Sequence, residues 1–466
     1  MDPPIAELDA STMAVTANGV LDADVLALFQ QLLPASFIAG VLVQAKVVEY
    51  CRVYSSLVVM WLMVWQRLQA AGTLKTAVLE VVRGLPANFW TQPCKRLRAA
   101  KEGSRNLSSN TGAYNQARMD LSLPVVEQSC DRAFEQLMAT VMAAQAERRP
   151  AFFLDGTSVR TPHAEELVQK YPPISNQHGE AHWPVIRMLV AHDLYTGLSM
   201  RPAWGPMYGP QAVSEQSLLE QAIHRLPSKA LIVGDANFGV FSVTYAADQQ
   251  GHPVVFRLTK VRAQHLAGGV VRDGMDQRMV WTPSRDDRRR HPQLPAKACV
   301  EGRLIVRQVQ PDNKTEPFLL ALFTTLPDTP EEVVKTYGYR WNIEIDLRSL
   351  KSTLRLEELT CTTTDMVAKE IDLAILSYNL VRAAIYLTAR KAGLEPRAFS
   401  FTYVQNVLNA FLPAIAAASD EQQARKLMEN MLHCLDQCRL PKRNGKRQSY
   451  ARAVWPKPKS YPAKHA

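Results

Sequence analysis

PAFFLDG, from Pro150 to Gly156, and KALIVGD, from Lys229 to Asp235, are the stretches that decide the fold of this chain. Each is a short apolar run closed by an Asp and bounded by turn formers, the pattern of a strand buried in a sheet. Working outward, VIRMLVAHDL (Val185 to Leu194) reads as another strand, and the turn signal DLYTG leads into GLSMRPAW (Gly197 to Trp204) as its hairpin partner. EQSLLEQAIHRL (Glu215 to Leu226) and SVTYAADQQG (Ser242 to Gly251) have helical spacing, and PVVFRL (Pro253 to Leu258) adds a strand. Strands alternating with helices imply an α/β sheet.

The flanks differ from this middle. Residues up to about 148 read as helical, with candidate helices over Leu21 to Leu33, Ser55 to Ala71, Leu74 to Val82 and Leu121 to Ala146. Five basic residues fall between Lys95 and Arg105, and SSNTGAYNQAR (Ser108 to Arg118) carries a helix-capping signal. From Lys260 to Pro317 the regularity breaks; this segment holds 12 Lys or Arg against 7 acids and one clear strand, in ACVEGRLIVRQVQ. After LLALFTT the chain reads as strongly helical from Thr329 through Ala392.

With 466 residues the chain has room for a core and appended modules, and 47% hydrophobic with 21% charged residues describes a globular protein. A net charge of +10 points to a polyanionic partner. Nine Lys or Arg and no acids lie between Arg439 and Ala466, so the body carries about +1 and its basic surface must be local. The seven cysteines show no CxxC pair; Cys434 and Cys438, near His433, lack further zinc ligands and read as reduced and structural. SSLVVMWLMVW (Ser55 to Trp65) is too short to span a bilayer. Pro441, Pro456, Pro458 and Pro462 prevent a long amphipathic helix in the tail, which is either a DNA contact or a solubilising end.

Two-metal phosphodiester chemistry needs carboxylates converging on ions about 3.5–4 Å apart, and Mg²⁺ prefers such oxygen ligands. Asp155 and Asp235 each end a buried run, where open α/β sheets place ligands, although an Asp there equally begins a turn. The helical reading of EEVVKTYGYRWNIEIDLRSLKSTLRLEEL supplies a third carboxylate. At about 100° per residue, with Tyr337 at zero, Arg340, Glu344 and Lys351 fall near 300°, 340° and 320°. Arg348 and Arg355 lie at the edge of this stripe, Leu347, Leu350 and Leu354 beside it, and Asp346 faces away. The pattern fits either a solvated face with charge pairing or one metal ligand among phosphate-binding groups.

Tyr337, Arg340, Glu344 and Lys351 are separated by two, three and six residues. This spacing resembles the Y-R-E-K signature of bacterial insertion-sequence transposases of the insertion-sequence-four type, a branch of the DDE superfamily. FFLDGTSVR is similar to the segment carrying that family's first Asp, and VGDANFGVF to that of the second. Many members carry a basic residue after the second Asp, where this chain has Ala236 and Asn237. SSNTGAYNQAR and SYARAVWPKPKSYP look family-like too, so the resemblance runs from about residue 100 onward.

The resemblance implies an α/β fold, an RNase H-like catalytic core interrupted by a β-rich insertion, with a helical N-terminal domain and a basic C-terminal tail. The implied layout is a DNA-binding region over 1–148, the first part of the core over 149–259, the insertion over 260–317, the second part with the catalytic helix over 318–415, and a helix and tail over 416–466. Asp155, Asp235 and Glu344 would be catalytic and would bind two Mg²⁺ ions, with Mn²⁺ able to substitute. Tyr337, Arg340, Lys351 and Arg348 would contact DNA, and Trp341 would either stack on it or pack. Trp281 would either receive a flipped base or pack in the core.

The implied activity is metal-dependent hydrolysis at transposable-element ends, followed by joining of the 3′-hydroxyls to target DNA, with a hairpin step by analogy. The implied partners are terminal inverted repeats, target DNA and a second copy in a synaptic dimer, with no membrane, in the bacterial cytosol at the nucleoid. The rivals are an RNase H-like nuclease or resolvase without strand transfer, and a non-catalytic DNA-binding descendant of a transposase.

Overall fold

A computed structural model describes residues 25–50, 52–69, 72–85, 89–90, 93–176, 179–310, 316–416 and 418–441. The basic tail from 442 onward and the first 24 residues, including the start of the helix expected at Leu21, lie outside the described residues.

Ten strands are described: β1 (Ala151–Arg160), β2 (Ser175–Asn176), β3 (Gly179–Glu180), β4 (Val185–Asp193), β5 (Ala203–Pro206), β6 (Leu231–Gly234), β7 (Val254–Arg257), β8 (Asp276–Trp281), β9 (Val300–Val309) and β10 (Phe318–Thr324). Eight form one mixed sheet in the order β5-β4-β1-β6-β7-β10-β9-β8, and β2 pairs with β3 alone. β5, β4 and β1 run antiparallel to their neighbours, β1, β6 and β7 run parallel, and β10, β9 and β8 return to antiparallel pairing. The α/β class read from the sequence is therefore the observed one.

Two details depart from the sequence reading. The strand begun by AFFL does not stop at Asp155 but continues to Arg160, because residues 152–160 all pair with β4. Of GLSMRPAW only its last two residues join a strand; Ser199 makes an isolated bridge to His192 and the preceding turn consumes the rest. The segment 260–317 contributes β8 and β9 to the far edge of the main sheet, together with the short helices Lys260–Ala267 and Arg285–Arg290. Trp281 is buried there, edge-on to Phe241 and Phe323 at 6.0 and 4.8 Å between ring centres, so packing is the reading that holds.

Side chains alternate across β1 with the period of two that a strand imposes. Phe152 meets Phe134 of the helix Leu123–Ala144 on one face. Phe153 meets Tyr337 of the helix Pro330–Gly338 on the other, at 6.4 Å, and Asp155 belongs to that second face. The helix Thr364–Lys391 packs against Leu123–Ala144 and Ser56–Leu68, joining the N-terminal helices to the core. Thr364–Lys391 is long and apolar enough to cross a membrane by composition, a match the sequence reading missed, but 23 of its residues are buried within the protein.

The helical stretch from Thr329 to Ala392 is also broken. Pro330–Gly338 ends after Tyr337, Trp341–Arg348 follows, and Ser349–Thr353 is a π-helical turn holding Lys351. Arg355 then takes a left-handed conformation at φ 54°. That geometry costs a non-glycine residue about 1–2 kcal/mol. It is offset by hydrogen bonds from the Arg355 guanidinium to the Gln66 and Gln69 carbonyls, and from Arg67 to the Arg355 carbonyl. A single continuous wheel therefore does not describe this region. Tyr337 and Glu344 lie on separate helices.

Candidate active site

Asp155 and Asp235 come together through strand register. β1 and β6 pair in parallel, with Ala151 opposite Leu231, Phe152 opposite Ile232 and Phe153 opposite Val233. Continued by two residues, the same register brings Asp155 level with Asp235 just beyond the end of β6. Asp235 follows the last residue of β6 and also begins a turn: its Oδ1 accepts from the Asn237 N–H at 2.8 Å, and Gly239 N–H donates to its carbonyl. Asp235 thus closes the strand and opens the turn at once.

Their proximity has an electrostatic signature. Burial, then the Asp235 charge, raise the Asp155 carboxyl; the Gly156 N–H opposes this, Glu215 adds to it and Arg340 opposes it, leaving the group pushed up to about 6. Glu215, at the first turn of the helix Glu215–Ala222, had no sequence signal that singled it out. Its carboxylate lies over Gly156, where a Cβ would collide with Glu215 Oε1. Its Oε2 accepts from Asn237 Nδ2 at 2.5 Å.

Glu344 projects from Trp341–Arg348, a helix that packs on β1. It is partly exposed, and Arg340 Nη2 lies 3.2 Å from its Oε1. The Arg340 guanidinium also sits over the Trp341 ring, 5.7 Å from its centre. Trp341 and Arg348 are exposed, while Lys351 is half-buried with its Nζ 4.0 Å from Glu357. Tyr337 is buried instead of lining an open stripe. Burial raises its hydroxyl, while Arg257 and Arg340 lower it and Asp235 raises it, which places the phenol beside the carboxylate pair.

The same short helix has a second carboxylate with the opposite fate. Asp346 is fully buried and pairs with Arg382, and with Arg397 Nη1 at 2.7 Å; His192 Nδ1 lies 4.0 Å away. Burial raises its carboxyl, but Arg397, Arg382 and His192 outweigh that and hold it below the usual carboxylate range. The sequence reading turned Asp346 away from the stripe, which is correct. What lay on that side is an ion cluster.

The donor set is all hard oxygen and fits a divalent cation by chemistry, and Glu215 Oε1 already occupies the space that a side chain at residue 156 would take. Among the described residues no three His, Cys, Asp or Glu side chains are close enough to coordinate an ion directly. The carboxylates repel one another, and Glu344 is engaged by Arg340. The thiols Cys94, Cys130, Cys299, Cys361, Cys434 and Cys438 are free.

A family profile described as "Transposase DDE domain" matches residues 146–380, half of the chain. The chain is 24% identical over 315 residues to the transposase InsG for insertion sequence element IS4 of Escherichia coli strain K12, covering 66% of this chain and 68% of that protein. It is also similar to a piggyBac transposase in a synaptic complex with hairpin DNA, at a TM-score of 0.41 and 10% identity, covering 88% of this chain and 85% of the other.

Proposed function

This chain belongs to the DDE transposase family, as an IS4-type DNA transposase, and from that premise we propose that Asp155, Asp235 and Glu344 are its catalytic carboxylates and metal ligands. The observation that carries the assignment is the register that sets Asp155 opposite Asp235, with the Glu344 helix packed on the same strand. We read β5-β4-β1-β6-β7 as an RNase H-like core, supported by three antiparallel strands followed by two parallel ones. Residues 149–259 and 318–415 form that core, 260–317 the insertion, 1–148 the end-binding region, and 416–466 the helix and tail.

Family membership implies divalent metal use, and two Mg²⁺ ions, or Mn²⁺ in their place, would supply Lewis acidity at the phosphodiester being cut. The chain's own residues do the rest. Asp155, held by pairing with β4, and Asp235, held by the turn that closes β6, present their oxygens without rearrangement, which limits the reorganisation cost of reaction. Arg340 pairs with Glu344 here, and with Glu344 holding a metal ion Arg340 would be available to grip a phosphate. Arg348 and Lys351 extend that grip along the strand, and exposed Trp341 stacks on DNA. Tyr337 packs on Phe153, two residues from Asp155 on the same strand.

The reaction begins with hydrolysis at an element end, exposing a 3′-hydroxyl. That hydroxyl next attacks the opposite strand, expelling the 3′-oxygen of the flanking DNA and closing a hairpin; water reopens the hairpin, and the regenerated 3′-hydroxyl attacks target DNA, expelling a 3′-oxygen there. Each step is an in-line displacement that one site can serve. The basic tail adds sequence-independent affinity for DNA. The protein acts at the nucleoid of a bacterial cytosol, as a dimer holding two inverted repeats. A cleavage and strand-transfer assay on a DNA carrying the element's ends with Mg²⁺ tests the reading: Asp155→Ala, Asp235→Ala and Glu344→Ala each lose cleavage while keeping end binding. Retained cleavage in any of them removes that residue from the site, and hydrolysis without joined products would make the protein a nuclease.

A further inference from the structure

Glu215 stands inside the carboxylate cluster without belonging to the expected triad. An acid at the first turn of a helix needs only to face solvent to complement the helix dipole. Glu215 instead lies inward over Gly156, in space that exists only because residue 156 has no side chain. The Ser214 cap closes a capping box with Ser217 and so fixes the start of this helix. Asn237 ties Glu215 to the second catalytic Asp: its side-chain amide donates to Glu215 Oε2 at 2.5 Å and its backbone N–H to Asp235 Oδ1 at 2.8 Å. Gln216 Nε2, one residue from Glu215, donates to the Asn237 carbonyl at 2.7 Å and steadies that bridge. The residues following Asp235, where many members of the family carry a basic group, thus serve a carboxylate here.

Charge balance points the same way. Three carboxylates, Asp155, Asp235 and Glu215, surround one strand junction. The cation beside Asp155, Arg340, is already paired with Glu344, and Arg262 points to the Ala236 carbonyl at 3.2 Å. Like charges held side by side, each only partly exposed, repel one another unless a counter-charge arrives, and a divalent cation supplies two. Mg²⁺ keeps several of its waters, so carboxylates too far apart for direct coordination still bind it through its hydration shell.

We propose that Glu215 is a fourth carboxylate of the catalytic metal site, holding the hydrated cation beside Asp155 and Asp235; this rests on the assignment of those two residues as ligands. The test is Mn²⁺ binding by the full chain without DNA, read by titration calorimetry. Glu215→Gln is expected to weaken Mn²⁺ affinity roughly tenfold, the range for an outer partner of a metal ligand. Glu215→Asp recovers part of that loss. In EDTA the melting temperature of Glu215→Gln stays level or rises, because a repulsive charge has gone, whereas a residue with only a structural role would lower it.

Mn²⁺ needed for half-maximal nicking rises in the same variant, with the rate restored at saturation. Wild-type Mn²⁺ affinity in Glu215→Gln, alongside its loss in Asp155→Asn, overturns the role of Glu215 and leaves the triad standing. Wild-type affinity in both Asp155→Asn and Asp235→Asn overturns the triad assignment, and the role of Glu215 with it. Should Glu215→Gln not fold, Asn237→Ala carries the test: weaker Mn²⁺ binding supports the proposal and unchanged binding overturns it.

Discussion

Glu344 and Asp346 sit two residues apart on one eight-residue helix and live in opposite worlds. Glu344 is 39% exposed and faces a single arginine at 3.2 Å across solvent. Asp346 is fully buried between two arginines, with a histidine behind them. An exposed ion pair contributes little to stability, so its partners can be exchanged cheaply. A buried one, once formed, is very costly to break from one side. The helix is thus anchored by one carboxylate and leaves the other free to change partners, which suits a residue that must let go of an arginine to engage a metal.

That contrast can be broken experimentally, beginning with the largest effect. Glu344→Gln should lower end cleavage by at least about 10³-fold, the scale of losing a catalytic group, while leaving urea-unfolding stability within about 1 kcal/mol. A variant that unfolds would show that Glu344 is structural. Asp346→Ala should do the reverse first, costing about 3–5 kcal/mol in the same unfolding measurement because it strands the buried Arg382 guanidinium and the part-buried Arg397. A loss under about 1 kcal/mol would mean that the cluster does not anchor the helix.

His192 sharpens the comparison through pH. Burial lowers its imidazole, against the raising effects of Asp346 and the Gly197 carbonyl, and the group ends at about 4. The unfolded imidazole titrates near 6.5. Between these values the unfolded state binds a proton that the folded state refuses, so this stability is present above about pH 6.5 and is lost as pH falls toward 4. Unfolding at a series of pH values should show a slope of up to about 1.4 kcal/mol per pH unit from this group, and His192→Gln should remove it. An unchanged slope would take His192 out of the account. The smallest effect is expected on the open side: Arg340→Ala should change stability by less than about 1 kcal/mol but reduce the slope of log affinity for DNA against log salt by about 0.9. An unaltered slope would leave Arg340 without a phosphate.

The legibility of the chain follows the same division. AFFL and LIVG read as buried strands because a run of apolar residues between turn formers has few other stable uses. Asp155 and Asp235 were visible as acids closing those runs, and the spacing of Tyr337, Arg340, Glu344 and Lys351 resembled a known signature. The helix wheel built on that spacing did not survive. The chain turns between Gly338 and Trp341 and passes into a π-turn at Ser349, and just beyond it contacts between Arg355 and Arg67, Gln66 and Gln69 override local helical preference. The extension of β1 past Asp155 was equally hidden, since pairing with β4, not composition, keeps TSVR extended.

The sequence by itself determined the class of sheet, the family and which three carboxylates to watch, because apolar periodicity and motif spacing are local properties written along the chain. Only the tertiary structure decided that Asp155 and Asp235 share a strand register, that Asp346 is a buried anchor and that Glu215 joins the cluster. These depend on which residues meet across 22 to 154 positions of chain (237 − 215 and 346 − 192), and a side chain's charge partner is set by its neighbours in space, which no local pattern of residues specifies.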